Sequence, residues 1–438
     1  AEIFLDPVEE KSVEFYQGIW KELKEGKAKD IGRRYYFVIV KADPNKEALS
    51  RSAIWGIYCA RKQGREEAYL DAWFSEAHPP NFPPVDSVAK KARLNYREFT
   101  LCRKNEEAFR EDMQNELIAV VEKEIQVVPS VLFSGTLLDG LREKKEYDEI
   151  LDRLKSPPKE DEWILWELEE PECTLCGSEG TKVQLQANLK MPARVIRLPW
   201  REVTQSPTPP ALRIPALFSN NGFEKHRAVT QLKKIFKPVG KYWEVPPMSS
   251  GVWKIYGNQE KIPVRHAMGK EDAPLTVYEF TNFHCPACRM FALQLLPVIK
   301  SEYIESGKVR WEVIHFPLTG GEQDAINAAI ASECAAEQNS FWPYHDILFM
   351  NQQNLSRSDL LRYAGNVPQI KVETFTSCLN TRKPASLVEN DIRLSEKLGV
   401  SATPTFLAGS YLFSNLPYPR LKKIFDEEIA RRSKSSPQ

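Results

Sequence analysis

Leu275-Thr-Val-Tyr-Glu-Phe280 and, a few residues later, Cys285-Pro-Ala-Cys288 decide the fold of this chain. The first run is apolar, with β-branched and aromatic residues, and it predicts a buried strand. From Arg289 to Tyr303 apolar residues recur at helical spacing, so the cysteines lie where a strand gives way to a helix. At a helix N-terminus the backbone N–H groups and the helix dipole favour thiolate over thiol. The pattern is therefore typical of a redox-active dithiol.

The C-x-x-C spacing alone also occurs in zinc sites and in haem attachment. A zinc site needs two more Cys or His ligands at a suitable spacing, and no second pair closely follows Cys288. Haem attachment needs His directly after the second cysteine, where this chain has Arg289. The 6 histidines are scattered along the sequence, so no metal cluster and no cofactor are predicted.

The length and composition indicate a soluble protein of several domains. A chain of 438 residues is too long for one core and suggests two to four domains. Its 60 basic and 60 acidic side chains balance, which argues against nucleic acid or an anionic membrane as the main partner. No apolar run approaches the length of a membrane span.

Cysteine usage indicates the compartment. All 8 cysteines can be paired, which favours an oxidising, extracytoplasmic compartment such as a periplasm over reduced cytosolic core cysteines. The chain opens with Ala-Glu-Ile-Phe and no basic, apolar leader, so we expect the mature form of an exported protein.

Two polar seams that contain proline, 156–162 and 246–251, predict three domains at 1–157, 158–247 and 248–438. The first and third domains look like copies of each other. Cys59 and Cys102 repeat as Cys334 and Cys378 at nearly the same offset. The prolines in Val127–Phe133 and Ala402–Phe406 repeat at that offset too, which makes a duplication the simplest explanation.

The repeat predicts two structural disulfides, Cys59–Cys102 and Cys334–Cys378, each joining two helical segments of one copy. Closing loops of this size stabilises a domain by about 4 kcal/mol in the chain-entropy account. Two buried free thiols per copy are the alternative. The helical segments between strand and proline would form an insertion that carries the disulfide.

Two segments carry a family resemblance. Gly269–Arg289, which contains the C-x-x-C, resembles the opening of DsbA-like thiol-disulfide oxidoreductases of the thioredoxin superfamily. Leu398-Gly-Val-Ser-Ala-Thr-Pro-Thr-Phe-Leu407 resembles the cis-proline segment of that family. The resemblance covers roughly residues 265–430, and it implies a thioredoxin fold with a helical insertion.

The resemblance implies a role for each of five residues. Cys285 would be the exposed nucleophile that forms mixed disulfides with substrate, and the more buried Cys288 would resolve them. Glu279 matches the buried acid that assists proton transfer at the second cysteine; a solvated edge charge is the alternative. Pro404 would follow a cis bond and leave the backbone of Thr403 free to pair with an extended substrate. A threonine directly before the cis proline is more similar to the isomerase-type members of the family than to the strongly oxidising ones.

The middle domain repeats the pattern more faintly. Glu167 precedes Cys173 by six residues, the same spacing as between Glu279 and Cys285. Cys176 completes a second C-x-x-C. Ile214-Pro215 looks like another cis-proline segment, so this domain resembles a small thioredoxin or glutaredoxin. Because Gly177–Gly180 is a poor helix start, a structural disulfide or half of a metal site remains an alternative to a second redox pair.

The first domain has no cysteine pair where the repeat would place the dithiol, at Val8–Val13. It would keep the fold and a cis Pro129 but lack the chemistry. The expected fold class is therefore α/β, with three thioredoxin-like domains, of which the first and third carry a helical insertion of DsbA type.

The leading hypothesis is an extracytoplasmic thiol-disulfide oxidoreductase that acts on protein or peptide substrates and exchanges electrons with a redox partner protein. Isomerase or reductase activity is slightly favoured over pure oxidation. The alternatives are a client-binding chaperone or scaffold built from thioredoxin-like domains, and an electron relay between the two C-x-x-C pairs.

Overall fold

The computed structural model describes residues 1–40, 43–123, 125–159, 162–170, 173, 175–189, 193–200, 212–225, 229–246, 251–256, 262–317, 323–414 and 416–435. Contacts divide the chain into two compact units: 1–166 with 182–196 and 218–244, and 167–181 with 197–217 and 245–438. Parts of the predicted middle domain belong to each unit. The three domain boundaries drawn from the sequence stay a prediction.

The described chain contains both strands and helices along its whole length. The strands are β1 Glu2–Leu5, β2 Arg34–Phe37, β3 Ser130–Phe133, β4 Thr136–Asp139, β5 Ile164–Glu169, β6 Arg194–Pro199, β7 Leu212–Ile214, β8 Ala216–Ser219, β9 Lys237–Val239, β10 Tyr242–Val245, β11 Gly251–Tyr256, β12 Leu275–Thr281, β13 Val309–His315, β14 Thr405–Ala408 and β15 Tyr411–Ser414. The α-helices are α1 Glu10–Phe15, α2 Lys21–Glu25, α3 Pro44–Lys62, α4 Glu66–Glu76, α5 Val85–Lys91, α6 Tyr96–Cys102, α7 Glu106–Glu122, α8 Lys144–Lys155, α9 Glu179–Leu189, α10 Val229–Ile235, α11 Pro286–Met290, α12 Leu296–Ile299, α13 Gln323–Ala336, α14 Phe341–Met350, α15 Arg357–Gly365, α16 Val372–Thr381, α17 Ala385–Lys397 and α18 Tyr418–Ser435.

Two of the sheets share one pattern of pairing. In the first unit the strand order is β2-β1-β3-β4, with β1 parallel to β2 and antiparallel to β3. In the second unit β13-β12-β14-β15 repeats this order and these directions, and β11 and β7 extend the sheet beyond β15. Helices α3–α7 and α13–α17 occupy the chain between the equivalent strands. A further five-stranded sheet has the order β6-β5-β8-β10-β9.

Strand β12 is buried on both faces, which explains its nearly continuous apolar sequence. Val277 on one face packs in a cluster with Trp311 and Phe406, and Phe280 on the other face packs with Ile314. The central position of β12, between β13 and β14, excludes the possibility that its glutamate is an edge charge.

The helix that follows Cys285 begins at Pro286, includes Cys288 and continues to Ile304. Proline suits the first helical position, because its fixed φ fits the helix and its missing N–H has no intrahelical acceptor there. Short α-helical and π-helical stretches alternate along this helix, the first π-helical one being Phe291–Leu295. Pro297, just beyond it, lacks the N–H that an α-helix would bond to residue 293, which accounts for the local widening.

A disulfide joins two of the helices that lie between the equivalent strands in each of the two repeats. Cys59 of α3 is bonded to Cys102 of α6, and Cys334 of α13 is bonded to Cys378 of α16. The peptide bonds before Pro129, Pro215 and Pro404 are cis. The bond between Pro79 and Pro80 is also cis.

Candidate active site

Cys285 lies at the point where β12 has ended and the next helix starts. Its backbone is extended, with φ −85° and ψ 119°, and it forms the N-cap of α11. The backbone N–H of Cys288 donates to Cys285 Sγ at 3.4 Å. Cys285 is partly exposed, whereas Cys288 is fully buried, and both are free thiols. Cys285 is therefore accessible to a substrate sulfur, whereas Cys288 is accessible only from within the protein.

The surroundings of Cys285 stabilise its thiolate. A hydrogen bond from the Cys288 thiol lowers the pKa of Cys285 most, partial burial opposes it, and Thr403 and the backbone N–H groups of Cys288 and Ala287 lower it further, to about 6. In the thiol form, Cys285 Sγ donates to the backbone carbonyl of Thr403 at 3.2 Å. The thiolate is the nucleophile in disulfide exchange, so this is the reactive member of the pair.

The lowered pKa of Cys285 predicts how its reactivity depends on pH. In the reduced protein, the rate of Cys285 alkylation by iodoacetamide should rise through a midpoint near pH 6. An unperturbed cysteine has its midpoint about two units higher. The pKa of Cys285 is lower in the folded protein than in the unfolded one. The Cys285 thiolate therefore stabilises the reduced fold fully at pH values above the unfolded pKa, and this contribution disappears as the pH falls through 6. Mass spectrometry of the Cys285 peptide measures the rate; a midpoint at pH 8 or above would contradict the assignment.

Cys288 has the opposite character. Burial raises the pKa of Cys288 well above its ordinary value, and the neighbouring Cys285 raises it further. A thiol of this kind does not ionise by itself near neutral pH, so it requires a group that accepts its proton when it attacks and returns a proton when it leaves.

Glu279 supplies a buried carboxyl group beside the pair. It is fully buried in the middle of β12, and burial raises its pKa. Trp311 Nε1 donates to Glu279 Oε2 at 3.0 Å, whereas Oε1 has no hydrogen-bond partner among the described residues. A buried carboxyl group with a raised pKa can both give and take a proton.

The segment around Pro404 lies against the reactive sulfur. The contact between Cys285 Sγ and the Thr403 carbonyl brings the two parts of the site together, although they are far apart in the sequence. Of the residues selected from the sequence, Cys285, Cys288 and Thr403 therefore meet in one place, and Glu279 is connected to Cys288 through Thr281, which interacts with both. Pro404 follows directly and leads into β14, which pairs with β12.

Gln352 is a residue of the site that the sequence did not indicate. Its buried Nε2 donates to the carbonyls of Phe283 and Cys285, each at 2.8 Å. These bonds hold the loop that carries the first cysteine. Arg289 Nε similarly donates to the Phe349 carbonyl at 3.0 Å. A glutamine in an irregular segment after α14 gives no sequence signal of this role, because only the tertiary structure brings it to the cysteines.

The second C-x-x-C has a different setting. Cys173 and Cys176 form a disulfide in a turn, and α9 begins only at Glu179, so neither sulfur lies at a helix N-terminus. Leu175 between them is buried in the same cluster as β12 residues, and Arg420 donates to its carbonyl at 2.8 Å. Backbone N–H groups of Gly177 and Val252 each donate to the other's carbonyl, which ties the turn to β11.

The acid of the second pair is also differently placed. Glu167 is buried like Glu279, but Ser178 Oγ donates to its Oε1 at 2.6 Å and Arg197 Nε lies 3.0 Å from its Oε2. Both carboxylate oxygens are therefore engaged by neighbouring side chains. The environment is that of a structural ion pair rather than of a proton carrier.

A buried group of histidine and acidic side chains lies in the second unit. His266 Nε2 and His315 Nε2 lie 2.9 and 3.0 Å from Glu333 Oε1, and Arg265 Nη2 lies 3.4 Å from the same oxygen. Burial raises the pKa of Glu333, but the hydrogen bonds from the two histidines outweigh it and hold the pKa well below its usual range.

This group changes one expectation. The sequence predicted no metal cluster among its scattered histidines, but β13, α13 and the segment before β12 bring His266 and His315 to one carboxylate. Two histidines and a glutamate form a ligand set that zinc accepts. However, Glu333 Oε1 already receives hydrogen bonds from the histidines and contacts a guanidinium group, so the arrangement resembles a self-sufficient charge network.

Comparisons with known proteins cover the same part of the chain. A family model described as Thioredoxin matches residues 261–427, which include both free cysteines, Glu279 and Pro404. The probable disulfide bond formation protein D of Bacillus anthracis is 33% identical over 173 residues, which are 38% of this chain and 79% of that protein. The disulfide bond formation protein D of Bacillus subtilis (strain 168) is 31% identical over 182 residues, which are 39% of this chain and 80% of that protein.

Among solved structures, oxidised BdbD from Bacillus subtilis is 30% identical, with a TM-score of 0.36; the match covers 38% of this chain and 93% of that one.

Among the residues that the structure describes, no helix combines the length and the apolar character needed to cross a membrane.

Proposed function

We propose that this chain, which belongs to the DsbA-like proteins of the thioredoxin superfamily, introduces disulfides into exported proteins through Cys285 and Cys288. One observation carries the proposal: the partly exposed Cys285 has a pKa lowered to about 6, and the buried Cys288 has a raised one. This asymmetry assigns attack to the first sulfur and resolution to the second.

The reaction would proceed in two exchanges. A substrate thiolate attacks Cys285 Sγ of the enzyme disulfide, the Cys285–Cys288 bond breaks, and Cys288 leaves with the electron pair and takes up a proton. A second substrate thiolate then attacks the substrate sulfur of the mixed disulfide, and Cys285 leaves as a thiolate. The substrate loses two electrons and gains a disulfide, and the enzyme dithiol gains the two electrons.

The stabilised thiolate favours oxidation of the substrate over its reduction. A lowered pKa of Cys285 stabilises the reduced enzyme, and a dithiol that is stable when reduced is a good disulfide donor. This differs from the slight preference for isomerase or reductase activity that Thr403 suggests in the sequence. The names of the relatives, disulfide bond formation proteins, also support the donor direction. A redox partner protein would restore the enzyme disulfide.

A cleft beside the reactive cysteine supports a polypeptide as substrate. Its volume is about 450 Å³, and its lining is Pro286, Arg289, Met350 and the amide-rich segment 351–354. Amide side chains can both donate to and accept from an extended backbone, and the exposed thioether of Met350 adapts to different side chains. Such a lining fits many sequences around a substrate cysteine.

We also propose the finer architecture: three thioredoxin-like domains, of which the first and third carry helical insertions. The matching strand orders and the cis bonds before β3 and β14 support the relation between the first and third. The first domain would contribute client binding, because Cys59 and Cys102 are bonded to each other and the described free cysteines both lie elsewhere. The disulfides support an oxidising, extracytoplasmic location.

The experiment mixes oxidised protein with reduced, unfolded ribonuclease A and follows the loss of free thiols. We expect one disulfide to be transferred per enzyme, with the Cys173→Ser/Cys176→Ser double variant as active as the wild type. Scrambled ribonuclease, assayed in parallel, separates isomerase from oxidase activity. No transfer of a disulfide to reduced ribonuclease A would overturn the proposal, and activity that depends on Cys173 and Cys176 would favour the relay hypothesis instead.

A further inference from the structure

Thr281 is a buried polar residue that the proposed reaction does not yet use. It is the last residue of β12 and is 1% exposed. Its hydroxyl makes no well-formed hydrogen bond with a described residue, although it interacts with the Glu279 carboxyl and with the Cys288 thiol. A buried hydroxyl without a partner costs about 1–3 kcal/mol, so its presence requires an explanation.

The position of Thr281 places its side chain between two reacting groups. Residues two apart on a strand face the same side, so Thr281 shares the face of Glu279. Its hydroxyl interacts with the Glu279 carboxyl on one side and with the Cys288 thiol on the other. Glu279 Oε1 also lacks a partner among the described residues, since the bond from Trp311 goes to Oε2. The Thr281 hydroxyl therefore interacts with both the Glu279 carboxyl and the Cys288 thiol without a well-formed hydrogen bond to either.

Other groups that face the carboxyl group do not replace Thr281 in this position. Trp311 of β13 is only a donor. His345 of α14 faces Glu279 and favours its ionised form, but its Nδ1 lies 2.9 Å from the neighbouring Asp346. Cys285, the N-cap of α11, interacts with Cys288. Among these neighbours, Thr281 is the one that interacts with both the Glu279 carboxyl and the Cys288 thiol, and its hydroxyl can take a proton from one side while giving its own to the other.

We infer that the Thr281 hydroxyl relays the proton between Glu279 and Cys288, an inference that rests on the proposed function. When substrate attacks Cys285, the Cys285–Cys288 bond breaks and Cys288 leaves with the electron pair. Thr281 Oγ1 gives its proton to the Cys288 sulfur and takes the proton of the Glu279 carboxyl group, which becomes a carboxylate. When the enzyme is reoxidised, the same two transfers run in reverse and Cys288 becomes the attacking thiolate.

The test compares Thr281→Val, which keeps the shape and removes the hydroxyl, with Thr281→Ser, which keeps the hydroxyl. Stopped-flow fluorescence measures the rate at which a peptide dithiol reduces the enzyme disulfide, per substrate thiolate, from pH 5 to 9. We expect the valine variant to be slower by about 100-fold, at the lower end of the range of general acid–base catalysis, and the serine variant to lie within about threefold of the wild type. The wild-type fall in rate as Glu279 loses its proton should be absent from the valine variant.

Two further measurements separate a relay from a structural role. The alkylation midpoint of Cys285 should stay near pH 6 in both variants, and the double variant Thr281→Val/Glu279→Gln should be no slower than Glu279→Gln alone. If the valine variant unfolds, Thr281→Ala provides the same comparison. Equal pH profiles for wild-type protein and a folded hydroxyl-free variant would overturn the relay while leaving the proposed function intact. Failure of the wild type to transfer disulfides would instead overturn the function.

Discussion

Replacement of Cys285 with serine is expected to lower disulfide transfer to reduced ribonuclease A by about 1,000-fold or more, because the reacting sulfur is lost. Replacement of Cys288 with serine should have a different result. It leaves Cys285 able to attack a disulfide-bearing substrate, but no second enzyme thiol can resolve the product. The Cys288→Ser variant should therefore accumulate a covalent mixed disulfide through Cys285, visible by mass spectrometry and on non-reducing gels.

The matched control is the Cys173→Ser/Cys176→Ser variant, which removes the other C-x-x-C disulfide. It should retain wild-type transfer and form no trapped complex, since neither sulfur lies at a helix N-terminus. Transfer by Cys285→Ser above a tenth of the wild-type rate would show that the chemistry takes place elsewhere in the chain. A complex trapped through Cys288 rather than Cys285 would reverse the assigned roles.

Replacement of Glu333 with alanine is expected to destabilise the second unit by about 3–5 kcal/mol, because it leaves a buried charge and buried donors without their acceptor. The groups affected are His266, His315 and Arg265, which all approach one Glu333 oxygen. Glu333→Gln keeps an acceptor oxygen and should therefore destabilise the second unit less than Glu333→Ala does. Urea unfolding, combined with hydrogen exchange of α13 peptides, measures the loss.

The pH dependence of this effect follows from the pKa of Glu333, which is lower in the folded state than in the unfolded one. The carboxylate therefore stabilises the fold fully above the unfolded value of about 4.3, and this contribution disappears as the pH falls further. The difference between wild type and Glu333→Gln should shrink below pH 4.

Glu337→Ala is the control, because Glu337 follows the end of the same helix and pairs with Lys383 at the surface. It should cost less than about 1 kcal/mol. An equal loss in both alanine variants would mean that the buried network adds no stability.

The sequence is most informative where function restricts a local pattern. The strand, the C-x-x-C and the helix after it are adjacent in the chain, so periodicity and spacing predict them directly. The buried acid is predictable for the same reason, because Glu279 interrupts an apolar strand. Thr403 and Pro404 are distant from the cysteines in the sequence, and only the family resemblance connected them. In the structure, the Thr403 carbonyl oxygen lies 3.2 Å from Cys285 Sγ.

Features that depend on long-range pairing were not predictable. Gln352 lies in an irregular segment and acts through its amide on backbone carbonyls, which leaves no pattern in the sequence. His266 and His315 meet only because a strand and two other segments converge on Glu333. The two C-x-x-C pairs look alike in sequence, and they differ in the structure that the chain adopts after the second cysteine. A helix continues beyond Cys288, whereas the residue after Cys176 pairs with β11.

The pairing of β7 with β11 has a practical consequence for anyone who wishes to isolate the catalytic half. A fragment cut at the proline seam, beginning at residue 248, would keep β11 but lose β7 and the turn that contains Leu175. One side of β11 would then present unpaired backbone groups next to a newly exposed apolar surface, which is a template for edge-to-edge aggregation. The fragment should precipitate or self-associate as its concentration rises, whereas a fragment that retains the chain from Glu167 onward keeps that edge covered.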